Sequence, residues 1–264
     1  MIFEVVTIFP RMLDSPLREG ILRKAVEKGL LTVRVHDLRA FTDDPYRTTD
    51  DYPYGGGGGM VMTPGPFGRA VETIQGAGPH ARVILLSPQG RLFTQDRARA
   101  LAKEERVVLL CGRYEGVDER VRELYVDEEI SIGDYVLTGG ELPALVVMDA
   151  AARMIPGVLG CARSAAEDSF ARGALDFPHY TRPETFKGRS VPPVLLSGDH
   201  EAIRRWRRRE ALLRTAQRRP DLIQEDRLSE EERTWLAEWR KEDPEQASGA
   251  NDFDGRLARH ERDR

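Results

Sequence analysis

Residues 81–87, ARVILLS, and residues 106–112, RVVLLCG, are short and nearly unbroken apolar runs. A strand covered on both faces reads this way, because both sets of its alternating side chains must leave water. Working outward, IFEVVTIF (2–9), LTVRVHDL (31–38) and VDEEISI (126–132) are further strand candidates, the second by clear alternation. Helical stretches fall between them. One runs from Ser15-Pro16 to about Lys28, one from Pro64 to Gln75, one from Gln95 to Glu104, a short one begins at Asp118, and the last spans Glu141 to Ile155. Strands alternating with helices predict an α/β domain with a mostly parallel sheet covered on both sides.

The second half changes character. Residues 156–200 are rich in Gly, Pro, Ser, Asp and His without periodicity, which predicts a long ordered loop or linker. Helices are expected at about Asp199–Gln217, Pro220–Glu225 and Ser229–Lys241, the last opened by a Ser229/Glu232 capping box. The tail after Pro244 is polar and expected to fray.

Composition narrows the function classes. The 264 residues are 40% hydrophobic, which excludes wholesale disorder. No apolar run is long enough to span a bilayer, and MIFEVVTIFP has no basic leader pattern. Two cysteines form no disulfide framework, so a soluble cytoplasmic protein is expected. The net charge of -4 conceals a contrast. Residues 163–219 carry 13 basic and 7 acidic groups, net +6, whereas residues 220–264 carry 8 and 14, net -6. The middle block suits a polyanion, or else is a solvated charged helix.

Glycine-rich segments follow three of the expected strands. They are Leu86-Ser87-Pro88-Gln89-Gly90, Cys111-Gly112-Arg113-Tyr114-Glu115-Gly116, and the stretch Ile132 to Pro143. Ligands of open α/β sheets bind beyond strand C-termini. Leu86, Ile132, Val136 and Leu137 could sandwich a purine, with Glu115 and Asp134 as acceptors. Few basic groups sit there, so an adenine-containing cofactor fits better than ATP. YPYGGGGGM (52–60) is neither a P-loop nor a dinucleotide fingerprint. It is a flexible stretch that could approach a ligand closely, or a mobile surface loop, and Asp50 and Asp51 before it are candidate substrate contacts. Tyr114 and Tyr135 read as packing residues with polar tips, and Cys111 as an inert buried thiol. Cys161, His179 and His200 show no zinc-site spacing.

Asp168, beside Ser169 and Phe170, is the strongest acid/base candidate, or else caps a short helix. Arg153 at the end of the 141–155 helix could neutralise growing negative charge, or else complements the helix C-terminus. Arg204 to Arg209, with Arg214, Arg218 and Arg219, form a basic helix suited to RNA phosphates. Arg204, Arg208 and residue 211 or 212 fall near one face, and Trp206 reads as a core anchor.

Together these segments resemble the bacterial tRNA (guanine-N1)-methyltransferase family of the SPOUT superfamily over about residues 1–240. The motifs are YPYGGG (52–57), LSPQG (86–90), CGRYEGVDER (111–120), SIGDYVL (131–137), GGELP (139–143), PGVLG (156–160), EDSF (167–170), PHYTRPE (178–184), VPPVLLSG (191–198) and RRWR (204–207). The resemblance implies an α/β fold with a SPOUT-type parallel sheet and a trefoil knot, plus a small all-helical C-terminal domain. The implied division is a knotted cofactor domain at 1–160, a linker bearing the base at 161–172, a tRNA-binding domain at 173–246 and a tail at 247–264.

It implies methyl transfer from S-adenosyl-L-methionine to N1 of the guanine immediately 3′ of the anticodon. It also implies a homodimer with an active site shared between subunits. Family members respond to a divalent ion, taken as magnesium, for which the sequence offers no ligand set. Asp168 is implied as general base, Arg153 as stabiliser of charge at guanine O6, and Ser169 as a group closing on the base. The implied cofactor residues are Leu86, Ser87, Pro88, Gly112, Tyr114, Glu115, Ile132, Gly133, Asp134, Tyr135, Val136, Leu137, Gly139, Gly140 and Pro143. Asp50, Arg182, Arg204, Arg208 and Arg209 are implied for the tRNA anticodon arm. A ribose 2′-O-methyltransferase of the same superfamily and a non-catalytic RNA-binding protein are the alternatives.

Overall fold

A computed structural model of the chain describes residues 1–160, 168–171 and 173–242. Contacts divide it into two compact units, Met1–Ala165 and Ala166–Arg264. Cys161, Glu167, most of the expected linker and the tail lie outside the described residues.

The first unit is built on five parallel strands, β1 (Ile2–Thr7), β2 (Thr32–Asp37), β5 (Arg82–Leu92), β6 (Arg106–Cys111) and β7 (Glu128–Ser131), in the order β2-β1-β6-β5-β7. Alternation sorts their side chains. Phe3, Val5, Val107, Leu109 and Cys111 face one layer of helices, while Val6, Val108, Leu110, Val83 and Leu85 face the other. The first layer is α2 (Gly20–Glu27), α4 (Gln95–Leu101) and α6 (Glu141–Ala152), and the second is α3 (Pro64–Gly76) and α5 (Glu119–Tyr125). Every residue of β6 is buried, at about 1.5–3 kcal/mol for each large aliphatic chain. That is why an unbroken apolar run announced this strand.

Three expectations are corrected. The helix from Ser15 to Lys28 is two helices, α1 (Asp14–Leu17) and α2, because Glu19 between them is extended at φ -129° and ψ 164°. The loop expected over 42–62 is irregular through the glycine-rich stretch 52–60, but β3 (Asp50–Asp51) and β4 (Val61–Met62) pair antiparallel at the base of that stretch. A hairpin of β8 (Thr185–Phe186) and β9 (Arg189–Ser190) interrupts the 156–200 segment, turning on Lys187 and Gly188, both at positive φ as a tight two-residue hairpin requires.

β5 is not regular. Leu86 and Arg91 both pair with Ile130 of β7, so residues 87–90 bow out of the sheet and the strand then resumes. β1 also contains a buried acid. Glu4 Oε1 accepts from Arg106 Nε (2.9 Å) and Nη2 (2.7 Å) and from Arg34 Nη1 (2.8 Å), and Oε2 lies 2.7 Å from His36 Nε2. Glu4 and Arg106 are both almost fully buried.

The second unit packs α7 (His200–Arg218) against α8 (Glu230–Glu242). Asp199 caps α7 by accepting from the N–H groups of Glu201 and Ala202. The Ser229/Glu232 box forms reciprocally at the head of α8. Its core is Leu212, Ala216, Trp235 and Leu236, with Ile223, Leu228 and Trp239 packed on it. Trp206 is not in this core. It is half-buried, with its ring 6.3 Å from Tyr180. The helix expected over 220–225 is replaced by two 3-10 turns, Pro220–Leu222 and Glu225–Arg227. No helix among the described residues is long and apolar enough to cross a membrane.

Candidate functional site

β6, β5 and β7 are adjacent in the sheet, so the segments that follow β6 and β7 meet the 87–90 bow within β5. They enclose a cavity of about 280 Å³. That is at the small end of ligand pockets, which run to about 1,000 Å³, and it suits a nucleoside better than a dinucleotide. Of the fifteen expected cofactor residues, fourteen line it, and Asp134 is exposed and lies outside the lining.

Backbone bonds fix the walls. Gly140 N–H donates to Gly112 O at 3.0 Å, and Arg113 bridges to Gly139. A Cβ on Gly140 would sit 2.7 Å from Cys111 Cα, so the second and third loops touch through backbone where no side chain fits. Pro143 lies in the first turn of α6, where its missing N–H costs nothing, and still reaches the lining. Tyr114 is left-handed at φ +59°, a conformation typical of ligand sites for a residue with a Cβ. Tyr114 and Tyr135 are 53% and 54% exposed, so they stand at the mouth rather than packing in a core.

The basic groups that line the cavity are already matched. Arg113 Nε and Nη2 reach Glu141 Oε2 at 3.0 and 2.9 Å, and Thr7 Oγ1 donates to Glu141 Oε1 at 2.6 Å. Arg122 pairs with Glu119. These are the two basic residues of the lining, so it presents no unpaired cation to a polyphosphate. The buried Glu141–Arg113 pair was missed as a support of the site. Its signal was an acid opening an otherwise apolar helix, ELPALVVM. Cys111 lies beneath the cavity, fully buried. Burial pushes its thiol well above the ordinary range, the Glu141 charge adds to this, and it cannot serve as a nucleophile.

The other candidates are not among the residues that line the cavity. Arg153 caps the far end of α6, whose first turn forms a cavity wall. Ten residues at 1.5 Å each put it about 15 Å along the helix from Pro143, the α6 residue of that wall. Asp50 lies in β3, opposite Met62. In the second unit Asp168 opens a turn, its carbonyl accepting from Ala171 N–H at 3.0 Å, rather than capping a helix. Ser169 Oγ accepts from Asp176 N–H at 3.0 Å, and Asp176 Oδ2 lies 2.8 Å from His179 Nε2. Arg182 is exposed.

The arginines of α7 divide between two sides of the helix. Arg205 and Arg208 bind Glu231 of α8, Arg208 also reaches Glu232 at 3.2 Å, and both stack over the Trp235 ring. Arg208 therefore belongs to the helix–helix contact, on the same side as Leu212. Arg209 lies 3.5 Å from Glu210. Arg204, Arg207, Arg214 and Arg218 recur at i, i+3, i+10 and i+14, a stripe away from that contact, with no ion pair among the described residues. Arg207 lies over the Phe177 ring at 4.8 Å.

A family model described as tRNA (guanine-1)-methyltransferase TrmD matches residues 1–225. The chain is similar to proteins named tRNA (guanine-N(1)-)-methyltransferase from several bacteria. That of Geotalea uraniireducens is 55% identical over 238 residues, covering 90% of this chain and 96% of the relative. That of Geobacter metallireducens is 54% identical over 90% of this chain and 97% of its own. That of Geobacillus kaustophilus is 52% identical over 92% and 99%.

Proposed function

From the premise that this chain belongs to the bacterial tRNA (guanine-N1)-methyltransferase family of the SPOUT superfamily, we propose that it modifies the guanine immediately 3′ of the anticodon, in a site completed by a second copy of the chain. The activity itself is S-adenosyl-L-methionine-dependent methyl transfer to N1 of a tRNA guanine. Membership of the superfamily implies a knot in the sheet, and the architecture described here is a five-stranded parallel sheet with helices on both sides.

One observation carries the assignment of the site. The 87–90 bow of β5 and the segments after β6 and β7 make one nucleoside-sized cavity whose basic groups are already neutralised. Adenosine fits such a wall of backbone groups and apolar side chains, and a triphosphate does not. When bound, the cofactor supplies an electrophilic methyl group on a positively charged sulfur. Asp168 would take the N1 proton of guanine and so leave the N1 electron pair for the methyl carbon, whose bond to sulfur would break with its electrons staying on the departing neutral thioether, and Arg153 would meet the negative charge that gathers on O6. Ser169, tied to the Asp176 backbone, holds the Asp168 turn in register.

Two features favour a shared site. Arg153 is a helix length from the cavity wall of its own chain, farther than an arginine side chain spans. α6 is apolar nearly all round, yet leaves Leu142 50% and Val146 46% exposed on one side. An apolar helix of this kind is normally covered, and a two-fold axis lets it cover its own copy. Val146→Glu is expected to shift the chain to monomer in light scattering and to abolish methyl transfer while cofactor affinity changes little. A dimer that persists with full activity would remove this face from the interface.

For the tRNA, the stripe of Arg204, Arg207, Arg214 and Arg218 supports phosphate binding better than the Arg208 side, which α8 occupies. Replacing Arg204 and Arg207 by alanine should weaken tRNA binding and lower the salt slope by about 2, near 0.9 for each phosphate that is no longer neutralised. Arg205→Ala with Arg208→Ala should instead loosen the helix pair, seen as a lower melting temperature. An unchanged salt slope for the first pair would reject the stripe.

Among the described residues no group of three or more His, Cys, Asp or Glu could hold a metal ion. Nucleoside mass spectrometry of digested tRNA after reaction tests the whole reading. N1-methylguanosine next to the anticodon is expected, and 2′-O-methylation would favour the ribose alternative.

A further inference from the structure

Of the five consecutive glycines, Gly55 to Gly59, only the last has a neighbour where a side chain would begin. A Cβ on Gly55, Gly56, Gly57 or Gly58 would meet open space. A Cβ on Gly59 would lie 2.3 Å from Glu115 Oε1, 2.6 Å from its Cγ and 2.8 Å from its Cδ. Three atoms of one side chain are struck, so the whole group would have to swing away rather than bend at its tip.

The close approach lies where the β3–β4 arm is stitched to the second cavity loop. Glu115 N–H donates to Met60 O at 3.0 Å, Met62 N–H to Gly116 O at 2.9 Å, and Asp118 N–H to Met62 O at 3.0 Å. Met62 is fully buried, and its sulfur lies 3.1 Å from Arg113 N. The backbone on both sides is therefore fixed and cannot yield to an added methyl. Glu115 lines the cavity, yet its carboxylate has no hydrogen bond or ion pair to any described residue. Nothing polar holds it, so the space left at Gly59 decides where it lies.

We propose that Gly59 is a positioning residue for the cofactor site, acting through Glu115. The absence of a side chain lets the glutamate lie flat against the arm and fixes the direction in which its carboxylate faces the cavity. The inference rests on the reading of that cavity as the S-adenosyl-L-methionine site. It also joins the arm that carries Asp50 to the cofactor wall as one rigid piece, so displacing either disturbs the other.

The test is calorimetric titration of S-adenosyl-L-methionine into the full chain and four variants, with melting temperatures alongside. Gly57→Ala is the strain control, because Gly57 is also at positive φ (+118°, against +82° at Gly59) but faces open space. It should change affinity by less than about twofold, whereas Gly59→Ala should weaken it about tenfold, the size of a direct packing conflict. Glu115→Ala removes the struck atoms, so adding Gly59→Ala to it should cost nothing further. The Michaelis constant for the cofactor should rise in Gly59→Ala, with that for tRNA little changed. Equal affinities for Gly57→Ala and Gly59→Ala, or a Gly59 penalty that persists without the glutamate, would overturn the proposal. A wild-type chain that binds no S-adenosyl-L-methionine would overturn the cavity reading itself, and the proposal with it.

Discussion

Asp168→Asn should bind S-adenosyl-L-methionine as the wild type does, yet transfer methyl groups about 10²–10⁴ times more slowly, the usual contribution of a positioned general base. The amide keeps the shape of the side chain and cannot take a proton. The turn depends on the Asp168 carbonyl, which accepts from Ala171, and that bond survives the substitution. The cavity is built from residues 85–143, within the Met1–Ala165 unit, and the substitution falls in the other unit. Calorimetry with the cofactor and single-turnover methyl incorporation separate the two effects. Parallel loss of cofactor binding, or a rate within tenfold of wild type, would end the assignment of Asp168 as the base.

Glu4→Ala should destabilise the first unit by about 3–5 kcal/mol, the cost of leaving a buried charge without its partner. Arg106 donates twice to Glu4 and is itself buried, so the variant strands a guanidinium inside the sheet. Urea denaturation measures this directly, and a loss below about 1 kcal/mol would mean that water or Pro79 O, which already accepts from Arg106 Nη1, takes over the role. Acidity provides a second test. Burial raises the Glu4 pKa, but hydrogen bonds from His36, Arg106 and Arg34 outweigh it and hold the group below its ordinary 4.5. A depressed folded pKa contributes stability that is fully present above 4.5 and is lost as pH falls through the folded value. Glu4→Gln should therefore be less stable at neutral pH and show a flatter acid limb below about pH 4.5.

Much of this was legible in the sequence because the deciding signals are local. The unbroken runs at 81–87 and 106–112 could only be doubly covered strands, and the Ser229/Glu232 box needs four residues to be recognised. The cavity was legible for a related reason: each wall directly follows a strand that can be recognised, so finding the strands located the loops. What was missed depends on partners far along the chain. Glu4 and Glu141 each looked like one acid in an apolar setting, and their meaning lies 102 and 28 residues away, in Arg106 and Arg113. Arg204 and Arg208 are indistinguishable by spacing. Glu231, on another helix, captures one and not the other. The β3–β4 arm escaped notice because two-residue strands have no period to detect.

The bow in β5 constrains how this protein can diverge. Residues 87–90 leave and re-enter a single strand, with Leu86 before them and Arg91 after them both opposite Ile130. Most binding loops hang between separate elements and tolerate insertions, but this one is an eyelet sewn into the sheet at both ends. Adding or deleting one residue would slip Arg91 and Leu92 against β7 and turn their side chains to the wrong face. Lineages can therefore retune this wall by exchanging side chains, while its length stays locked to the edge of the sheet.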